Sequence, residues 1–242
     1  MANYGEFRND SRRGASDERL DAAAFHRNHV AIWMVLEKFL RGKTGDVLEA
    51  GSGTGQHVVF FARHSPGITW WPTDLNDHHL RSIAAWTAHE NLGNVRSPRR
   101  IDLSNPQSAE MNDGHGPGAL LAVFCANVIH IAPWRVAEGL IASAAHCLRP
   151  DGRLFLYGPF KRDGRHTAPS NAAFDASLRN NNPEWGVRDV DEVAALAQQN
   201  GLTLTEIADM PANNLILAFE RIRDERRAAS VACETTAAAE HT

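Results

Sequence analysis

Glu49-Ala-Gly51-Ser52-Gly53-Thr54-Gly55 sets three glycines at alternate positions, with an acid two residues ahead of the first. Alternating glycines let a chain turn sharply and bring its backbone against a ligand with no Cβ in the way. The dinucleotide fingerprint G-x-G-x-x-G is not met, because Gln56 stands where the third glycine is required. Two more acids follow at intervals that fit successive strand ends. Asp74, beside Leu75, comes twenty-five residues after Glu49, and Asp102 is followed by Leu103. A carboxylate after a second strand can accept both hydroxyls of a ribose. Leu75 and Leu103 would offer apolar cover to a flat ring. Further on, Asn127-Val-Ile-His130 puts an amide and an imidazole just past an apolar run, and Tyr157 closes another such run. An imidazole with an ordinary pKa of about 6.5 can take a proton from a hydroxyl, so His130 is the candidate general base and Tyr157 a candidate for orienting an acceptor.

These residues need a scaffold that brings strand ends together. Short apolar runs at 46–50, 68–72, 99–103, 119–126 and 153–157 read as strands, the fourth as a continuously apolar buried one. Helical patterns lie at 22–40, 56–64, 77–91, 134–148, 172–179 and 189–200. Two closing strands, 202–207 and 214–220, are joined by a link too short for a parallel crossover, so they form an antiparallel hairpin. Residues 106–118 and 159–170 read as loops. Alternating strands and helices predict an α/β fold, with a mostly parallel seven-stranded sheet, an antiparallel edge hairpin and helices on both faces.

The glycine pattern resembles motif I of class I S-adenosylmethionine (SAM) methyltransferases. Taken with Phe124-Cys-Ala-Asn127-Val-Ile-His130-Ile-Ala-Pro-Trp134, Leu156-Tyr-Gly-Pro-Phe160, Arg165-His-Thr-Ala-Pro-Ser-Asn171 and Met210-Pro-Ala-Asn-Asn-Leu215, the chain is similar to a methyltransferase-like family catalogued as a domain of unknown function. The resemblance runs from about Phe25, through Arg27-Asn28, to Phe219. It implies a Rossmann-like methyltransferase fold and SAM as cofactor, with S-adenosylhomocysteine (SAH) as product. Carried onto this sequence, it implies a cofactor site of Arg27, Asn28, Glu49, Gly51, Ser52, Gly53, Thr54, Gly55, Gln56, Asp74, Leu75, Asp102, Leu103 and Asn127. The N-P-P-Y tetrad of many amino-nitrogen methyltransferases is absent, which favours oxygen as the methylated atom. Nitrogen or sulfur acceptors, and a non-catalytic SAM-binding partner, are the alternatives.

Composition narrows the partners. The 242 residues are 43% hydrophobic and 22% charged, ordinary for one globular domain with appendages. The division expected is a polar, mobile arm at 1–20, a domain at 21–223 and a disordered tail at 224–242. A net charge of −4 and the lack of a basic-aromatic module argue against nucleic acid. No apolar run reaches the roughly 18 residues that span a bilayer, and the N-terminus has no signal-like stretch, so a cytoplasmic chain is expected. Cys125, Cys147 and Cys233 form no paired motif, and twelve histidines show no ligand spacing, so neither disulfide nor metal is expected. The partner expected is a small-molecule acceptor. Lys161, Arg162, Arg165 and His166 crowd one loop, where they read first as solvated charges and otherwise as an attraction for an acidic acceptor.

Overall fold

The computed structural model describes residues 17–105 and 117–221. Along the chain run α1 (Ala23–Leu40), β1 (Gly45–Ala50), α2 (Gln56–His64), β2 (Ile68–Asp74), α3 (Asp77–Glu90), β3 (Arg99–Arg100), β4 (Leu120–Ala126), α4 (Trp134–Cys147) and β5 (Leu148–Gly158). There follow β6 (Phe160–Arg162), β7 (Arg165–His166), α5 (Pro169–Asn181), β8 (Arg188–Asp189), α6 (Val190–Gln199), β9 (Leu202–Met210) and β10 (Asn214–Arg221).

Seven strands make one sheet in the order β3-β2-β1-β4-β5-β10-β9. Pairing is parallel from β3 to β5, and β10 lies antiparallel between β5 and β9. Alternation along the strands divides the core in two. Leu48, Val123 and Leu156 pack with Leu140, Ile141 and Val193 of α4 and α6 on one face. Val47, Phe124 and Phe155 pack with Leu36, Phe61 and Ile83 of α1, α2 and α3 on the other. This is the doubly covered sheet that the strand–helix alternation predicts. The chain reverses its direction across the sheet between β1 and β4, and a crevice opens at the carboxyl ends of such strands.

Three local readings change. The third strand keeps only two residues, because the Asp102 carboxylate accepts from Ser104 N (2.9 Å) and Ser104 Oγ (2.7 Å) and turns the chain. The fifth strand begins at Leu148 rather than 153 and passes through Asp151, at φ 64°. Residues 159–170 are not simply a loop. Asp163 (φ 52°) and Gly164 (φ 72°) make a two-residue turn between β6 and β7, with β8 paired to β6 in a small second sheet. Asp-Gly between two extended arms is the sequence signal for that hairpin.

Of the arm expected over 1–20, residues 17–20 are described, and they dock. Leu20 N–H donates to Ser82 Oγ (2.8 Å) and Leu20 O accepts from Trp86 Nε1 (2.8 Å). The rest of the arm, the tail at 224–242 and residues 106–116 of the loop lie outside the described residues. No helix among the described residues is long and apolar enough to cross a membrane.

Candidate functional site

The glycine turn is built by close packing on two sides and left open on the third. Gly51 sits at φ 71°, where a Cβ would come 2.5 Å from Val128 Cγ2. Gly55, at φ 87°, lies against α3, where a Cβ would meet Ile83 Cα at 2.7 Å. Gly53, at φ 57°, has nothing within 4 Å of a Cβ position, because it faces the crevice. The turn is tied to β2 by Ser52 N–H to Thr73 O (2.7 Å) and Thr73 Oγ1 to Glu49 O (2.8 Å).

Asp74 closes β2 as a held carboxylate. One oxygen accepts from Gly53 N (2.9 Å); the other accepts from Asn76 N (2.9 Å) and lies 3.0 Å from His79 Nδ1. His79, on α3, is buried and lines the crevice. Beyond Asp74, Ile101, Leu103, Ile131 and Val136 form an apolar slot with Asp102 at its edge. That slot depends on one small residue in α4. A Cβ on Gly139 would fall 1.9 Å from Leu103 O, so the helix backbone touches the turn that carries Asp102 and Leu103.

The crevice encloses about 350 Å³. At its inner end Glu49 is 2% exposed, and its Oε2 has no hydrogen-bond partner. Burial pushes the carboxyl up to about 8, against the stabilising Ser52 and with a small push from Asp74. Asn127 adopts the left-handed region at φ 60°, its N–H held by Tyr157 O at 2.8 Å, and lines the floor. Asparagine tolerates this conformation better than most residues, and such strain concentrates at ligand sites.

Ten residues named from sequence meet here: Glu49, Gly51, Ser52, Gly53, Thr54, Asp74, Leu75, Asp102, Leu103 and Asn127. Six do not line the crevice. Gly55 packs under α3, and Gln56 is buried beneath residues 21–22, accepting from Ala22 N (2.8 Å). Arg27 is exposed on α1, and Asn28 is buried with its Oδ1 2.8 Å from His57 Nε2. Tyr157 is 4% exposed, in the core against α1. His57, absent from the sequence reading, does line the crevice, and burial pushes it down to about 3.

The placement of His130 is a correction. The strand end was expected to turn it towards an open acceptor side, yet it is 1% exposed and outside the crevice lining. Its Nδ1 faces Arg188 N (3.4 Å) and its ring meets Phe160 edge-on at 4.8 Å. Its Nε2 lies where a Cβ on Gly158 would come within 2.4 Å. Burial, aided by Arg188, pushes it down to about 3, the wrong direction for a general base. The unfolded imidazole ionises near 6.5 and the folded one near 3, so this group's stability is complete above 6.5 and is lost as pH falls between the two. The stability advantage of wild type over His130→Gln should therefore shrink by about 1.4 kcal/mol per pH unit below 6.5. Urea unfolding of both at pH 7.5 and 5 checks this; a constant difference would show that the imidazole is solvated.

The basic cluster also lies elsewhere. Lys161 and His166 reach Asp175 (3.3 and 3.2 Å), and Arg162 reaches Asp209 (3.0 Å). Among the described residues, the crevice lining carries Glu49, Asp74 and Asp102 and neither lysine nor arginine. Its charge suits a cation, and the argument for an acidic acceptor loses its footing.

A family model described as "Protein of unknown function (DUF938)" matches residues 19–221. Among solved structures, an O-methyltransferase family protein from Burkholderia thailandensis superposes with a TM-score of 0.67 at 19% identity, over 80% of this chain and 56% of that one. The S-adenosylmethionine-dependent methyltransferase SibL in apo form gives 0.64 at 20% identity, over 81% and 55%. CalO1, a methyltransferase of calicheamicin biosynthesis solved with SAH bound, gives 0.57 at 16%, over 78% and 54%. The chain thus spans little more than half the length of these structures. At these identities the likeness is one of fold, and the fold is that of the Rossmann-like methyltransferases.

Proposed function

We propose that this chain, which belongs to the DUF938 family, binds SAM in the crevice and transfers its methyl group to a small-molecule acceptor in the cytoplasm, at oxygen. The observation that carries the reading is the open face of Gly53 between an unpartnered buried carboxyl, Glu49, and a held one, Asp74. The residues fit the group. Glu49 would take the ammonium of the amino-acid end, Asp74 the ribose hydroxyls, and the Ile101–Leu103–Val136 slot, with Asp102, the adenine. Bound SAM supplies an electrophilic methyl on a sulfonium. The chain's own contribution is alignment, which alone can lower a barrier by about 7–11 kcal/mol. Of the two imidazoles among the described lining residues, His57 is a poor base because burial lowers its pKa, and His79 has its Nδ1 3.0 Å from Asp74. Asn127, which lines the crevice, would contact the cofactor. That Asn127-Val-Ile-His130 replaces N-P-P-Y supports oxygen.

A second reading is a SAM-binding protein without catalysis. It draws support from the removal of His130 and Tyr157 from the crevice. Methyl transfer from labelled SAM to a metabolite extract separates the two readings.

Calorimetric titration with SAM, SAH and NAD tests the cofactor. SAM and SAH should bind in the micromolar range and NAD should not, since Gln56 stands at the pyrophosphate position. Asp74→Ala should weaken SAM about ten- to a hundred-fold, the range for hydrogen bonds to a charged group. NAD binding tighter than SAM would overturn the assignment.

A further inference from the structure

The segment ahead of α1 and the first turn of α1 together form one wall of the crevice, lined by Ala22 from the segment and by Ala24 and Phe25 from the helix. The segment is held there by side chains of the rim rather than by a core of its own. Ser82 Oγ accepts from Leu20 N (2.8 Å) and donates to Thr54 O (2.7 Å), joining the segment to the glycine turn. Trp86 Nε1 donates to Leu20 O (2.8 Å), and the Arg19 guanidinium lies 5.1 Å over the same indole. Gln56 uses both ends of its amide. Its Oε1 accepts from Ala22 N (2.8 Å) and Thr54 Oγ1 (3.0 Å), and its Nε2 donates to Asp21 Oδ1 (2.7 Å), which the exposed His26 also reaches. A glycine at position 56, as in dinucleotide-binding turns, would have no such reach.

Residues 17–22 are exposed or half-buried throughout, with no buried apolar face among them, so the segment can open locally while the sheet stays folded.

We propose that residues 17–22 are a strap across the crevice, latched by Gln56, and that its release is the step by which ligand enters and leaves. Glu49 and Asn127 line the same crevice. The latch is specific to an amide at position 56, because the position must accept from a backbone N–H and donate to a carboxylate at once.

The charge pattern of the latch provides the test. Q56E keeps the acceptor for Ala22 N–H but sets a carboxylate against Asp21; adding D21N returns an N–H donor. Opening is read without ligand by iodoacetamide alkylation of A126C, a crevice-lining position, in a C233S background; Cys125 and Cys147 are buried. Alkylation, and amide hydrogen exchange over residues 17–25, should each run about ten-fold faster in Q56E and return towards wild type in Q56E/D21N, with the melting temperature little changed. The dissociation rate of SAH should follow the same order. Exchange that rises while alkylation stays constant would overturn the gating role, and a Q56E effect that D21N fails to reverse would overturn the latch. If the wild type binds no SAH, the cofactor reading fails, while alkylation still decides the strap.

Discussion

Glu49→Gln should raise the melting temperature by up to about 10–20 °C at pH 8 and leave it unchanged near pH 4.5. In the folded chain the buried carboxyl keeps its proton up to about 8, whereas the unfolded chain loses it near its ordinary 4.5. The group's stabilising share is complete below 4.5. It is lost as pH rises, by about 1.4 kcal/mol per unit until the folded group also ionises. Glutamine fills the same space and never ionises, so at pH 8 it retains up to roughly 5 kcal/mol that the wild type has lost. For a domain of this size each kcal/mol moves the midpoint by about 2–4 °C. Melting curves of the two proteins from pH 4.5 to 8.5 check it, and parallel curves across that range would mean the carboxyl is hydrated. The same change should weaken a cationic ligand. Wild-type affinity for SAM should climb with pH up to about 8, as the cation displaces the proton, and the Gln variant should lose that dependence. A destabilising acid retained in a ligand crevice is the trade expected of a binding group.

Gly139→Ala should cost about 3 kcal/mol or more, lower the midpoint by about 6–12 °C and weaken SAH. A methyl there would fall 1.9 Å from Leu103 O and 3.0 Å from its carbonyl carbon. Both are backbone atoms, so no rotamer change relieves the contact. Either α4 or the Asp102–Leu103 turn must move by about an ångström, and the apolar slot loses its shape. Gly93→Ala is the control, because nothing lies within 4 Å of its Cβ position and the site is exposed. Equal stabilities for the two variants would show that the turn yields freely.

The parts of this molecule legible in sequence are those set by local chemistry. α2 begins where Gly55 ends the turn and stops at Ser65, before Pro66-Gly67. β4 is apolar throughout because both its faces are covered. The spacing of Glu49, Asp74 and Asp102 survives because each acid lies within two residues of its strand's carboxyl end, and those ends share one rim. What could not be read depends on partners distant in sequence. The environment of His130 is made by Phe160, Gly186 and Arg188, the last fifty-eight residues away. Nothing in Asn127-Val-Ile-His130 itself says that a later segment will cover the ring. Residues 17–20 look too polar to dock, and they do so through main-chain bonds to Ser82 and Trp86 that no hydrophobic pattern encodes. Lys161 and His166 read as free charges because their partner, Asp175, lies on another element.

The position of β1 in the sheet has a consequence for how the chain is made. Its Asp46 pairs with Thr69 on one side and with Leu120 on the other. The first neighbour follows within twenty-odd residues, but the second comes more than seventy residues later. At synthesis rates of roughly 5–20 residues per second, one edge of this strand waits about 4–15 s for its partner to be made. During that interval the apolar Val47 and Leu48 and a row of unpaired amides stand open at the edge of a half-built sheet, the template on which strands mispair. Substitutions that slow the arrival or pairing of β4 should therefore lower soluble yield on expression well before they lower the stability of the finished protein.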